Sequence, residues 1–360
     1  MKKTDAAGGS PCPLPEKPRL KALSGVKILA VIGIIACHTG VLPQWDLCAR
    51  MVEILFLLSG FCMAYNHYGD GFCGSFGEGW HIVRRKLPRF YPAHLATFLL
   101  QVFFVAKWAA KPLSFTLSFG ALNLALLQAW FPKTQFMFNN VAWFLSALVF
   151  CYFVTPALAA AVKRAEERRR LGLMFLLLTA VRLYIEYMCN AFPREIWLNL
   201  HTNPLVQSLN YSLGFLAGAA FLREMTLNDI LQKRLSAAWA TLPEILFTGV
   251  YLAACYALAG VAYRLFFVLL GLPVIYIFAG GRGYVSRLIS AKPAVWLAGY
   301  SLEIFMFHSF ILYHYPVNPA DGWYFVKFGA MVLAAAVGFR LFTGGIAAVW
   351  RRYSDGIAAV

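Results

Sequence analysis

The sequence predicts an all-α fold, a polytopic bundle of membrane-crossing helices, and three observations carry that expectation. Of 360 residues, 60% are hydrophobic and only 13% charged, against about a quarter charged in an ordinary globular chain. Apolar windows of about 20 residues, long enough to cross a hydrocarbon core as a helix, recur from Leu23 almost to the end. Lipid satisfies no backbone polar group, so runs this long and continuous are helical.

Ten windows qualify: 20–43, 47–67, 85–108, 140–162, 172–192, 204–222, 239–259, 261–281, 294–314 and 324–348. Cations gather at alternate ends of them: Lys17, Arg19 and Lys21, then Arg84 to Arg89, the run at 163–170, Arg223 to Arg234, Arg282 to Lys292, and Arg351 with Arg352. The opposite loops hold few, chiefly Lys107, Lys111, Lys133 and Arg194. By the positive-inside rule both termini are cytoplasmic. The apolar stretch from Leu113 to Phe131 is not counted, because a span there would carry the basic run at 163–170 to the outside. It is expected in the outer loop, re-entrant or lying on the surface.

The net charge of +16 is divided among short loops at membrane depth instead of one soluble face, which argues for a lipid bilayer and against nucleic acid as the partner. Residues 1–18, rich in proline through PCPLPEKP, read as a disordered cytoplasmic tail. Residues 19–352 form one transmembrane domain and 353–360 a C-terminal tail. No charged n-region with a short apolar core and cleavage site opens the chain, so the first span is expected to be retained. The eight cysteines show no C-x-x-C or Cys/His ligand spacing, so no metal site is expected. Cys37, Cys62, Cys151 and Cys255 fall within spans, where a thiol acts as a small hydrophobe. A Cys48 to Cys189 disulfide on the outer face stays open.

The candidate chemistry begins with Lys27 and His38. Eleven residues make three helical turns, so both side chains share one stripe about 16 Å apart along the axis. Ionisable groups inside a membrane helix are costly and point to function. In the second span, Arg50 and Glu53 can pair within the helix, or Glu53 can orient His38 on the neighbouring antiparallel helix as a general base. Ser59 and Gly60 suit close helix packing. Arg85, Lys86 and Arg89, in RRKLPRFYPAH, are topology signals or a cytoplasmic phosphate grip, for which a planar guanidinium is well shaped. Asn139 and Asn140 at the outer mouth can bond a hydroxylated ligand, and Trp143 is an interface anchor or a sugar-stacking platform. His308 lies at a depth similar to His38, with Glu303 nearer the middle. Arg182, Glu186, Asn210, Tyr211, Ser212, Lys327 and Arg340 complete the intramembrane polar set and suggest an aqueous or ligand-filled interior.

In order along the chain, these segments resemble the acyltransferase-3 family of polytopic membrane acyltransferases. Its opening R/K-x10-H looks like Lys27 and His38. Its acidic-aromatic DlFFvLSGF run looks like Glu53 through Phe61, and its basic run ending in R-x-x-P looks like Arg89 to Pro92. Its W-x-L…fY…P helix resembles Trp143, Leu145, Tyr152 and Pro156, and the late SlyiYl-H resembles Ser301 through His308. Two departures stand out. The family's R-x-x-R reads Lys86-Leu87-Pro88-Arg89, and the glutamate that many members carry five residues after the helix-four tryptophan is Leu148.

The resemblance implies transfer of an acyl group, in most members acetyl, from cytoplasmic acyl-CoA to a hydroxyl of a cell-surface carbohydrate or glycolipid, in the inner (cytoplasmic) membrane. Acyl-CoA is then a donor substrate and no bound cofactor is expected. His38 would be the base, Glu53 its orienting group, Lys27, Arg85, Lys86 and Arg89 the donor's cations, and Asn139, Asn140, Trp143 and His308 the acceptor's contacts. The rival class is a non-enzymatic exporter of a sugar-linked or small-molecule substrate. Such transporters tend to show internal repeats with matched broken helices, and none is visible here.

Overall fold

The computed structural model describes residues 18–42, 45–165, 168–193, 198–234, 236–258, 260, 263–318 and 320–358. The expected tail over 1–18 lies outside them apart from Pro18. Among the described residues the chain is helical with no strand. The elements are α1 (Lys21–His38), α2 (Trp45–His67), α3 (Phe76–Phe104), α4 (Ala106–Ala109), α5 (Leu113–Leu124), a 3-10 turn at Gln128–Trp130, α6 (Trp143–Arg164), α7 (Arg168–Ala191), α8 (Pro204–Arg234), α9 (Ala237–Ala257), α10 (Leu265–Gly280), α11 (Tyr284–Ile289), α12 (Lys292–Gly299), α13 (Ser301–His314) and α14 (Tyr324–Ala358).

Among the described residues seven helices are long and apolar enough to cross a membrane: α1, α2, α6, α7, α8, α9 and α14. An eighth is counted if α12 and α13, bent by 62° at their junction, make one span. Two further expected windows, 85–108 and 261–281, are helices of a different character. In α3 the apolar run is diluted by Arg89, His94 and Gln101, and α10 has 16 residues, about 24 Å, short of a 30 Å hydrocarbon core.

Helix α2 is the axis of the bundle, with 78% of its apolar window buried, whereas α7, α9 and α14 bury 11%, 17% and 17% of theirs and turn leucines, tyrosines and tryptophans outward, as a lipid-facing ring does. The close pairing of α2 with α8 depends on glycine. A Cβ at Gly60 would lie 1.9 Å from the Tyr211 carbonyl oxygen, and one at Gly214 would lie 2.0 Å from that of Leu57. Of Ser59 and Gly60, the two small residues expected to permit close helix packing, Gly60 does so here.

The buried ions are paired, as their desolvation requires. Arg182 bonds Glu186 at 2.9 Å with both side chains fully buried, and Glu186 also accepts the backbone N–H groups of Arg264 and Leu265, which open α10. Arg340 of α14 reaches Glu303 at 3.1 Å and the Gly299 carbonyl at 2.6 Å, pinning α14 to the α12–α13 bend. Lys327 bonds Asp321 at 2.8 Å. These residues were expected to line an aqueous interior; Arg182, Glu186 and Arg340 staple helices together instead, while Lys327 is exposed and paired beside the start of its own helix. At the basic end, Ser75 and Glu78 form a capping box that starts α3. The Cys73, Gly74 and Ser75 backbone N–H groups hold the Glu78 carboxyl below the usual carboxylate range.

The stretch over 113–131 does not cross the bundle. Before it, the Phe104 carbonyl meets His314 Nε2 at 3.1 Å. After it, Asn140 accepts from Ser309 at 2.5 Å, so both ends sit at the same end of α13. Between them α5 runs inward until the Leu124 and Asn123 carbonyls accept from Tyr91 (3.1 Å) and His94 (2.9 Å), midway along α3. With 12 residues α5 is too short to span, and the segment is a re-entrant excursion.

Candidate active site

The site has two parts, at opposite ends of α1. Near the basic end, α1, α2, α3, α6 and α13 enclose a cavity of about 320 Å³. Lys27, Lys86 and Arg89 line it, together with Ser59, Tyr152 and Ser301, and no carboxylate does. An apolar chamber with three cations and no counter-charge from its own walls is a place for an anion. Arg85 is exposed and does not line it. The Lys86 ammonium sits 6.0 Å over the Tyr152 ring. Leu148, standing where many relatives are expected to carry glutamate, faces the cavity, so that wall is apolar here.

At the other end of α1 the two histidines meet. His38 Nδ1 is 2.8 Å from His308 Nε2, and the rings stack with centroids 5.1 Å apart. His308 Nδ1 is 2.6 Å from the Phe305 carbonyl oxygen, one turn earlier on α13. A carbonyl only accepts, so His308 carries its proton on Nδ1 and presents a lone pair on Nε2. His38 must then donate through Nδ1, which leaves the lone pair of its Nε2 outward. The relay Phe305–His308–His38 fixes a neutral imidazole in the tautomer of a general base. Phe305 joins the two parts of the site, because it also lines the cavity.

Cys48, on the first turns of α2, is on that lone pair. Its Sγ lies 3.5 Å from His38 Nε2. Cys37 and Cys48 are both free. The disulfide considered between Cys48 and Cys189 is not formed, and Cys189 donates instead to the Leu198 carbonyl at 3.8 Å.

Several expected roles change. Glu53 does not orient His38: both of its oxygens accept from Arg50 Nη1 at 3.0 Å in a buried i,i+3 pair, and the Arg50 guanidinium lies 4.2 Å over the Phe267 ring. Intrahelical pairing outcompetes a cross-helix contact because both ions are buried and one neutralises the other. The orienting group is His308, which was placed at the acceptor mouth and is instead fully buried behind His38. Asn139 is also buried, its amide donating to the Met306 carbonyl at 3.1 Å and its oxygen accepting from Val141 N–H, so it closes the re-entrant segment onto α13 and is not exposed to a ligand at the surface. Trp143 is 4% exposed, with its ring 4.6 Å from His201, which leaves neither an interface anchor nor an open stacking face. Asn140 remains exposed beside Ser309. Cys48 was weighed in the sequence only for a disulfide and not as a neighbour of His38, although the two stand at the facing ends of consecutive helices, α1 and α2.

Comparison with known proteins bears on this arrangement. The acyltransferase domain family matches residues 20–344. The chain belongs to the acyltransferase-3 family. Acyltransferase MdmB of Streptomyces mycarofaciens is 27% identical over 228 residues, 56% of this chain and 57% of that protein. The match thus spans little more than half of that relative's length. No solved structure matches the chain.

Proposed function

We propose that the chain moves an acyl group, acetyl in the simplest case, from cytoplasmic acyl-CoA to a hydroxyl of a cell-surface carbohydrate or glycolipid, with His38 Nε2 as general base. The observation that carries this reading is the tautomer relay from Phe305 through His308 to His38, which holds a proton acceptor at the opposite end of α1 from a cationic cavity. CoA carries several phosphates, and Lys27, Lys86 and Arg89 are the cations that would receive them. A pantetheine arm then points the thioester along the cavity toward Phe305 and the histidines. His38 takes the acceptor hydroxyl's proton as its oxygen attacks the carbonyl, and His308 steadies the imidazolium that forms. The charge-derived orientation, with both termini and the cationic cavity on the cytoplasmic side of the inner membrane, puts donor inside and acceptor outside.

The test is thiol release from acetyl-CoA by membranes bearing the protein. His38→Ala should accumulate normally and lose about 10² to 10⁴ in rate. A variant that keeps more than a tenth of the wild-type rate overturns the assignment.

A further inference from the structure

Resting on the reading of His38 as the base, we propose that Cys48 is a nucleophile that carries the acyl group as a thioester between donor and acceptor. Activated nucleophiles are recognised by a chain of contacts: nucleophile to base, and base to an orienting third group. All the links are present, as Cys48 Sγ to His38 Nε2 at 3.5 Å, His38 Nδ1 to His308 Nε2 at 2.8 Å, and His308 Nδ1 to the Phe305 carbonyl at 2.6 Å. The second nitrogen of His38 is occupied by His308, so the lone pair available for base catalysis is the one facing the thiol. A substrate hydroxyl approaching that nitrogen meets Cys48 there.

The chemistry balances without any oxidant or reductant. His38 Nε2 takes the Cys48 proton as sulfur adds to the acyl-CoA carbonyl. The bond from that carbonyl to the CoA sulfur breaks, and the departing thiolate takes the proton back as CoA-SH. One C–S bond forms and one breaks, exchanging one thioester for another of similar energy. In the second half, His38 accepts the proton of the acceptor hydroxyl, the oxygen attacks acyl-Cys48, and the proton returns to the Cys48 thiolate as the ester leaves. The relay also divides the reaction at the end of α1, so that CoA can leave before the acceptor engages.

The experiment needs no identified acceptor. Purified protein is incubated with acetyl-CoA and isotopically labelled free CoA, and label entering acetyl-CoA is followed. In parallel, labelled acetyl-CoA is used to trap an acyl-protein that survives acid and is cleaved by neutral hydroxylamine. The proposal expects exchange, one acetyl group on the peptide containing Cys48, loss of both in Cys48→Ala and His38→Ala, and retention of both in Cys37→Ala. Cys48→Ser should slow exchange by more than about tenfold, since an alcohol is the weaker nucleophile. His38-dependent thiol release with no exchange and no label on Cys48 overturns the relay and leaves His38 as a base acting directly on the acceptor, and label on Cys37 in place of Cys48 overturns the assignment of the nucleophile. Thiol release that survives His38→Ala overturns the underlying reading instead.

Discussion

His308 should matter to turnover, less than His38 or Cys48 but measurably, and the structure gives the size of that effect. It is fully buried, and its Nε2 is the acceptor for His38 Nδ1 at 2.8 Å. In His308→Ala that N–H faces a cavity, and a buried donor left without a partner costs about 1 to 3 kcal/mol. At 1.36 kcal/mol per tenfold in rate, turnover should fall by about 5- to 160-fold, below the loss on removing the base itself. The loss should appear in kcat with the half-saturating concentration of acetyl-CoA little changed, because the donor cavity lies elsewhere. His308→Gln, whose side-chain oxygen can still accept from Nδ1, should recover part of the rate, which a packing role for the ring would not allow. Steady-state thiol release from acetyl-CoA by the purified variants measures all three outcomes. If His308→Ala turns over at the wild-type rate, or if Gln and Ala are equally impaired with equal loss of folded protein, the relay that fixes the His38 tautomer is wrong.

Arg89→Ala should raise the half-saturating acetyl-CoA concentration by about 10- to 150-fold, the worth of a charge-assisted contact, with Arg89→Lys between. Arg85→Ala, outside the cavity, should change it by less than about twofold, and equal effects of the two would reduce these charges to topology signals. Gly60→Ala places its Cβ 1.9 Å from the Tyr211 carbonyl, where ordinary contact begins at 3.4 Å. The two helix backbones must part, and melting in detergent should show a loss of about 1 to 3 kcal/mol, while Gly249→Ala, which meets nothing within 4 Å, should not. In a background where the exposed Cys73 is serine, Asn140→Cys should react with a membrane-impermeant thiol reagent added to intact cells and buried Asn139→Cys should not. Labelling of Asn140→Cys only after the cytoplasmic side is opened reverses the proposed orientation.

The sequence by itself determined the class of the molecule. Composition and 20-residue apolar windows suffice for a helical membrane bundle because lipid permits so little else, and ordered motifs from Lys27 to His308 sufficed for the family. The stripe that joins Lys27 to His38 was also legible, since helical spacing is a local property. What only the tertiary structure decided is which polar groups face one another across helices. Glu53 is equally placed in sequence for Arg50 or for His38, and burial of both ions settles it in favour of the neighbour on its own helix. Asn139 and Trp143 look like mouth residues until the re-entrant segment folds over them. His38 meets His308 from 270 residues away, and its base-forming tautomer depends on a backbone carbonyl, which no residue type announces. A helix fixes the face and depth of a side chain, whereas its partner is fixed by packing against other helices, and that information is distributed over the whole chain.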